Sequence, residues 1–429
     1  MRVLVVGSGA REDALSWRIA ESPSCEAVFA APGNAGTASR GENWEIAATD
    51  GKSLSQRCAD ERIDLAVLGP ETAIAAGVGD RLRDAGIAVF GPNRSGGRLE
   101  SSKSFAKRFM ERYGIPTARA LFVHSLDAGV KALEHWEGEV VIKADGLASG
   151  KGVVVTADAG AARSVLEDWY GFGRVPGGGS DVLLEERLQG REVSIFALCD
   201  GRAIVPLGGA CDYKRAGNGD TGPNTGGMGA YSPPAGFPGD LYDCVRDRIL
   251  APLLSGLLQE GEEYLGVIYC GLMWGADGPR VVEFNARFGD PEAQVLLPRI
   301  GGDFALLLHS VAKGAMDLSI AALSSQYCVG VVLATGDYPR SNTPLRGLSA
   351  DVSLGEGCRA FWGASQRLNG TIDTGGGRVL TVTALGDDLA QARSRAYDSV
   401  KRLAGRIGTQ GLTYRTDIAA TSTTTTASS

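Results

Sequence analysis

Histidine is the first scarcity. Of 429 residues only three are His, at 124, 135 and 309. None lies in a polar, Gly-rich segment, so hydrolysis through a Ser-His-Asp or Cys-His arrangement has little to work with. Eight Cys are scattered at 25, 58, 199, 211, 244, 270, 328 and 358 without a CxxC pair. That pattern argues against a zinc site or a disulfide framework and reads as reduced, mostly buried thiols. Basic charge is also short. The 43 Lys and Arg against 50 Asp and Glu leave a net charge of −7, which argues against a nucleic-acid partner, because neutralising phosphate backbones needs a basic surface. No apolar run reaches membrane-spanning length, and Met1 leads straight into a strand-like segment with no signal peptide before it. A soluble cytoplasmic protein is therefore expected. Its 44% hydrophobic and 22% charged residues are a globular balance, and 429 residues suggest two to four domains.

A third glycine is missing too. The apolar run 3–6 ends in Gly7-Ser8-Gly9-Ala10-Arg11-Glu12, after which residues 14–20 read as helix. Glu12 stands where a dinucleotide fingerprint needs Gly, and the second strand ends in Ala30-Ala31-Pro32 with no acid for a ribose. A nicotinamide cofactor is therefore not expected, although a turn presenting backbone N–H groups to some phosphate stays open. Further apolar runs at 27–31, 65–68 and 88–90, the last two followed by Gly-Pro, predict a doubly wound parallel sheet over residues 1 to about 100.

What is present points to a nucleotide. In Val281-Val282-Glu283-Phe284-Asn285-Ala286-Arg287-Phe288-Gly289-Asp290-Pro291-Glu292, Glu283 and Asn285 lie two apart on one strand face, and Arg287 continues it. Magnesium prefers a few carboxylate or amide oxygens plus substrate phosphates, and a neighbouring Arg suits a phosphoryl group in transfer. Taken alone, this is also how an edge strand with a solvated polar face reads. Upstream, Lys103, Lys107 and Arg108 lie on a helix pattern ending at Tyr113-Gly114-Ile115-Pro116. Residues 140–155 place two β-branched strands around Lys143-Ala144-Asp145-Gly146-Leu147-Ala148-Ser149-Gly150-Lys151, a hairpin that can fold over phosphates. It is not a Walker A loop, because strands follow it. Lys143 alone would read as a snorkelling surface residue, but Lys151 across the Gly-rich loop favours phosphate contact.

Residues 181–194 read as strand, polar turn and strand. A long Gly-rich loop, 219–231, follows Asp212-Tyr213-Lys214-Arg215, and such loops inside compact domains are usually functional. Residues 240–265 read as an amphipathic helix and 267–273 as a strand paired toward 281–285. From about Tyr327 a smaller α+β unit is expected, with strands at 329–334 and 379–383 and a helix at 389–403. The Thr-, Ser- and Ala-rich tail 419–429 has too little apolar content to fold.

With these residues laid out, the chain resembles the ATP-grasp superfamily and, within it, the phosphoribosylamine–glycine ligase family. The resemblance is carried by residues 32–37, Gly69-Pro70-Glu71, Leu99-Glu100-Ser101-Ser102-Lys103, 143–148, 219–231 and 283–292. It implies an α/β chain in four parts: a Rossmann-like N-terminal domain with a doubly wound parallel sheet (1–100), an ATP-grasp domain of two α+β lobes (101–326, mobile lobe about 118–190), a small C-terminal α+β domain (327–418) and a disordered tail (419–429). It implies ATP held by Lys103, Lys143, Gly146 and Lys151, adenine recognised around Glu185, Glu186 and Leu188, ribose by Glu192, and Mg2+ or Mn2+ by Glu283 and Asn285. Arg287 would stabilise the transferring phosphoryl group, and Asp212 and Lys214 would hold the amine or the phosphoribosyl group. The partners would be the small molecules glycine, phosphoribosylamine and ATP, handled by a monomer or weak homodimer. Departures from the family pattern stand at Asp13, Tyr213 and Trp362, where the family typically has His, and at Ala73-Ile74. They leave room for a paralogue coupling another amino acid or amine in a secondary pathway, or for an inactive nucleotide-binding protein.

Overall fold

Short apolar runs ending in turns build the first sheet. β1 (Arg2–Gly7), β2 (Ala27–Pro32), β3 (Glu42–Asn43), β4 (Leu65–Leu68) and β5 (Ala88–Phe90) lie in the order β3-β2-β1-β4-β5, every pair parallel. Val3, Leu4, Val5 and Val6 are fully buried, as a parallel sheet covered on both faces requires. The order reverses at β1, so the C-terminal ends of β1 and β4 border a crevice. The structure, a computed structural model, describes all residues except 148–151, 180, 351–353, 408–410 and 421–429.

The turn after β1 has the first of its N–H groups already taken. Helix α1 (Ala10–Ala20) carries Glu12 in its first turn, and the Glu12 carboxylate accepts from the Gly9 N–H at 2.5 Å and pairs with Arg11 at 2.6 Å. A buried carboxylate thus satisfies the Gly9 N–H.

Helix α2 (Lys103–Arg112), capped by Ser102, leads to a separate antiparallel sheet of β6 (Ala120–Val123), β7 (Val140–Ala144), β8 (Val153–Thr156) and β9 (Val182–Glu186), in the order β6-β9-β7-β8. Two helices, α3 (Leu126–Leu133) and α4 (Ala159–Gly171), start at the side-chain caps Ser125 and Asp158. They close a core of their own around Ile142, Leu166, Trp169 and Leu184.

The largest sheet is antiparallel and continuous. β10 (Arg191–Asp200), β11 (Ile204–Asp212), β12 (Gly229–Ser232), β13 (Leu265–Gly275), β14 (Gly278–Asn285), β15 (Tyr327–Thr335), β16 (Cys358–Trp362) and β17 (Arg378–Gly386) run in the order β14-β13-β10-β11-β12-β15-β17-β16. β12 pairs with β15 from Gly229 with Val331 to Ser232 with Cys328, so the sheet passes without a break from the central segment into the C-terminal one. Helix α5 (Leu389–Ile407) follows β17.

Three expectations change here. The helix foreseen over 240–265 runs Leu241–Gln259, with a π turn at Arg246–Leu250. Pro252 has no N–H to donate to the Arg248 carbonyl, and the register shift falls there. The Gly-rich segment is not all loop: Arg215–Gly217 and Thr221–Asn224 pair as a hairpin, and β12 follows. Ala419, assigned to the disordered tail, is 3% exposed and donates its N–H to the Tyr213 hydroxyl at 2.9 Å; the rest of that tail from 421 lies outside the described residues. All eight Cys are free, as expected. Among the described residues no helix is long and apolar enough to cross a membrane.

Candidate active site

The edge strand β14 carries the centre of the site. Its register against β13 shifts by one residue, with Gly271 opposite Glu283 and Leu272 opposite Val281. Val282 is thus an extra residue, and its carbonyl accepts from Lys143 Nζ at 3.0 Å. Glu283 and Asn285 keep one face. Burial drives the Glu283 carboxyl toward its neutral form, but Lys214, Lys143, Arg287 and Lys103 together outweigh it and hold the pKa below the usual carboxylate value. Four cations brought from four separate chain segments therefore converge on one acid.

Lys103 opens α2 and donates to the Gly146 carbonyl at 2.8 Å. Burial lowers its pKa, against Glu283 and Asp145. The Asp145 turn docks on the start of α2, accepting from Ser102 Oγ and the Ser104 N–H, each at 3.2 Å. Lys143, at the end of β7, pairs with Glu185 at 2.8 Å, and the other Glu185 oxygen pairs with Lys107 at 3.0 Å. Glu186, next on β9, accepts from the Arg119 N–H at 2.8 Å and pairs with Arg280. Leu188 lies half-buried between β9 and β10. Lys151 lies outside the described residues.

Arg287 meets two carboxylates and two oxygen acceptors. It pairs with Glu100 at 2.8 Å and Glu71 at 3.3 Å, and donates to the Asn285 side-chain oxygen and the Phe288 carbonyl, each at 3.2 Å. Burial opposes its charge, yet Glu100 and Glu71 outweigh burial and raise its pKa. It thus orients Asn285 and draws the ends of the first sheet onto β14. Lys214 pairs with Glu192. Burial pushes the Asp212 carboxyl up to about 8 against the pull of Lys214. The Lys214 ammonium is held well above its ordinary pKa because Asp212 and Glu192 outweigh burial.

Sequence reasoning assigned no role to Lys107, Glu71 or Glu100, which buttress the predicted residues, although all three stood in quoted segments. It also missed a buried chain in which Ser194 Oγ donates to the Tyr269 hydroxyl and that hydroxyl donates to Glu292, each at 2.8 Å. The Glu that ends the polar run 283–292 was the one available signal. The Gly-rich segment closes on the same run at Gly227, whose φ of +112° admits only glycine comfortably and whose Cβ, if present, would overlap Pro291.

The donor set suits a divalent metal arriving with a nucleotide. Glu283 and Asn285 supply oxygens, and among the described residues no group of three His, Cys, Asp or Glu could hold an ion unaided. Phosphates completing a shell begun by one carboxylate and one amide are what magnesium-type ions accept.

The phosphoribosylglycinamide synthetase family matches in three consecutive parts: its N domain over residues 1–100, its ATP-grasp (A) domain over 101–293 and its C domain over 328–421. The chain belongs to this family. It is 44% identical over 410 residues to phosphoribosylamine–glycine ligase of Phenylobacterium zucineum, covering 94% of this chain and 96% of the relative. It is also similar to the crystal structure of phosphoribosylamine–glycine ligase from Thermotoga maritima, with a TM-score of 0.84, 32% identity and coverage of 97% and 100% of the two chains. In fold alone it resembles the biotin carboxylase domain of Hydrogenobacter thermophilus 2-oxoglutarate carboxylase, solved with MgADP, ADP and bicarbonate (TM-score 0.73, 14% identity, coverage 96% and 91%).

Two departures from the synthetase pattern meet in space. Asp13, on α1, accepts from the backbone N–H of Trp362, on β16, at 2.8 Å. A Cβ on Gly36 would overlap the same carboxylate. Burial lifts the Asp13 pKa from 3.8 to about 7, against the Trp362 N–H and Arg40. The third departure, Tyr213, turns away from the acids and lysines: its hydroxyl meets Ala419, and Arg415 stacks on its ring at 4.9 Å. Ala73 and Ile74 are core residues. These substitutions serve packing and the joining of elements, and none removes a group from the lysine–Glu283 centre.

Proposed function

We propose that this chain is the ATP-dependent ligase that joins glycine to 5-phosphoribosylamine, giving glycinamide ribonucleotide, ADP and phosphate, a step of de novo purine biosynthesis. The observation that carries the reading is the convergence of Lys103, Lys143, Lys214 and Arg287 on Glu283, beside the amide of Asn285. Reaction at such a centre needs positioning and charge neutralisation more than covalent help from the protein. In this reading Lys103, Lys143, Gly146 and Lys151 hold the triphosphate. The lobe at about 118–190 closes over the nucleotide. The chain around Glu185, Glu186 and Leu188 receives adenine, and Glu192 the ribose.

Glu283 and Asn285 would hold the divalent ion, Mg2+ or Mn2+, whose charge offsets that of the phosphates. The glycine carboxylate oxygen attacks the γ-phosphorus, ADP leaves, and an acyl phosphate forms. The amine nitrogen of phosphoribosylamine then attacks the acyl carbon, phosphate leaves, and the nitrogen loses a proton. Asp212, once ionised, would take that proton, and Lys214 would offset the developing charge. Arg287 reaches the transferring phosphoryl group by exchanging a carboxylate partner. Room for a phosphorylated sugar exists in a cavity of about 220 Å3 bordered by Gly9, Ala10, Tyr338, Asn342 and Arg378.

The test supplies ATP, magnesium, a mixture of amino acids and freshly generated phosphoribosylamine, and reads phosphate release and product mass. The mass of glycinamide ribonucleotide is expected. Turnover with another amino acid and none with glycine overturns the assignment.

A further inference from the structure

We propose that Lys107 is a positioning residue for the nucleotide, acting on Lys143 through the Glu185 carboxylate that the two lysines share. The inference rests on the reading that ATP phosphates bind beside Lys143. Lys107 lies on α2 one helical turn after Lys103, on the same face, but its side chain does not open toward the site. It is 2% exposed, and its three N–H groups are all spoken for: Glu185 Oε1 at 3.0 Å, Thr117 Oγ1 at 2.8 Å and the Ala118 carbonyl at 3.0 Å. An ammonium has no fourth donor. Lys107 therefore cannot contact a phosphate without breaking this shell, and any effect on the nucleotide passes through its neighbours.

The neighbour that matters is Glu185. It is 4% exposed, and its second oxygen sits 2.8 Å from Lys143 Nζ. One buried carboxylate thus bridges two buried ammoniums and leaves a net positive charge. If Lys107 were uncharged, Glu185 would belong to Lys143 alone. The pair would then be neutral, and Lys143 would attract a phosphate much less in this low-dielectric setting. Lys107 also sets where the bridge stands. Its acceptors Thr117 and Ala118 lie at the entry to β6, and that entry is fastened to β14: Thr117 Oγ1 donates to the Val281 carbonyl at 2.7 Å, the Val281 N–H donates to Pro116 at 2.7 Å, and Arg280 donates to the Thr117 carbonyl at 2.7 Å. The shared carboxylate is thereby held in register with the strand that bears Glu283 and Asn285.

The test uses the full chain and measures MgADP binding by calorimetry together with KM values for ATP and glycine. Lys107→Met is expected to weaken MgADP binding and raise the ATP KM by about tenfold, with the glycine KM within about twofold and kcat within about threefold. Lys107→Arg restores most of the affinity, because the charge and the bridge survive. In a Glu185→Gln background, Lys107→Met adds little further loss, the non-additivity of residues acting as one unit. Thr117→Val, which loosens the register but removes no charge, is expected to raise the ATP KM by less than Lys107→Met does. A folded Lys107→Met chain that binds MgADP like wild type overturns the proposal, as does an equal rise of both KM values. Should Lys107→Met fail to fold, a tenfold loss of MgADP affinity in Lys107→Arg overturns it, and affinity kept within twofold supports it. Wild-type chain that binds MgADP but forms no glycinamide ribonucleotide defeats the assigned reaction alone. Wild-type chain that binds no MgADP defeats both.

Discussion

At the scale of single residues, the site is a set of charges whose worth depends on what presses against them. Half-buried Glu283 keeps a pKa below the usual carboxylate value because the charges of Lys214, Lys143, Arg287 and Lys103 outweigh its burial. Glu283→Gln keeps the shape and removes the charge that would hold the metal; kcat is expected to fall by about a hundredfold or more, read by phosphate release at saturating ATP and excess magnesium. A loss under threefold would show that this acid is not a ligand. Asp13 makes a different prediction. Its carboxyl keeps a proton in the fold up to about pH 7, against an ordinary value of 3.8, so between those limits the folded chain binds more protons than the unfolded one. Its stabilising contribution is full below pH 3.8 and is lost as pH rises through about 7. Melting temperatures between pH 5 and 8 should decline for wild type and decline less for Asp13→Asn, which can still accept from Trp362; Asp212, pushed up to about 8, adds a slope of the same sign to both. Parallel declines would remove Asp13 from the account. Lys103, Lys143, Glu283 and Asn285 were legible because glycine and β-branched runs frame them. Lys107, Glu71 and Glu100 were not, because an ion pair between distant segments leaves no periodic mark on either one.

At the scale of elements, the four-stranded sheet of β6 to β9 has its own small core and meets the rest of the molecule through α2, the 116–118 entry and the ion pairs at Glu185 and Glu186. Leu166, fully buried beside Gly129, fills that core. Leu166→Ala should cost about 2–4 kcal/mol locally and speed hydrogen exchange in β7 and β9 while β10 and β13 keep their protection. The ATP KM should rise with it. Uniform loss of protection across both sheets would mean that the lobe does not open on its own. Strands with short apolar runs, and the 140–156 hairpin, were readable from alternation and turn residues. The π turn before Pro252 and the hairpin inside the Gly-rich segment were not. Glycine marks freedom of the backbone and does not say whether a ladder uses it.

At the scale of the whole molecule, the decisive pairing is β12 with β15, which no local pattern could foretell because the two strands lie about a hundred residues apart. A chain divided by texture at residue 327 is one sheet in space. Arg378 donates to the Gly226 and Asp290 carbonyls at 2.6 and 2.7 Å, and the Asn34 amide donates to the Trp362 carbonyl at 2.8 Å. The last segment therefore helps to hold the Gly-rich turn against the run 283–292.

Nicking the connection at residues 313–320 with a protease should not release a C-terminal piece. The two fragments should migrate as one particle on a sizing column, melt in a single transition and keep turnover; separation without denaturant would contradict the shared ladder. A gene encoding this chain could in the same way be split at that point and its halves expressed apart, with synthesis of the amide serving as a reporter of their reunion.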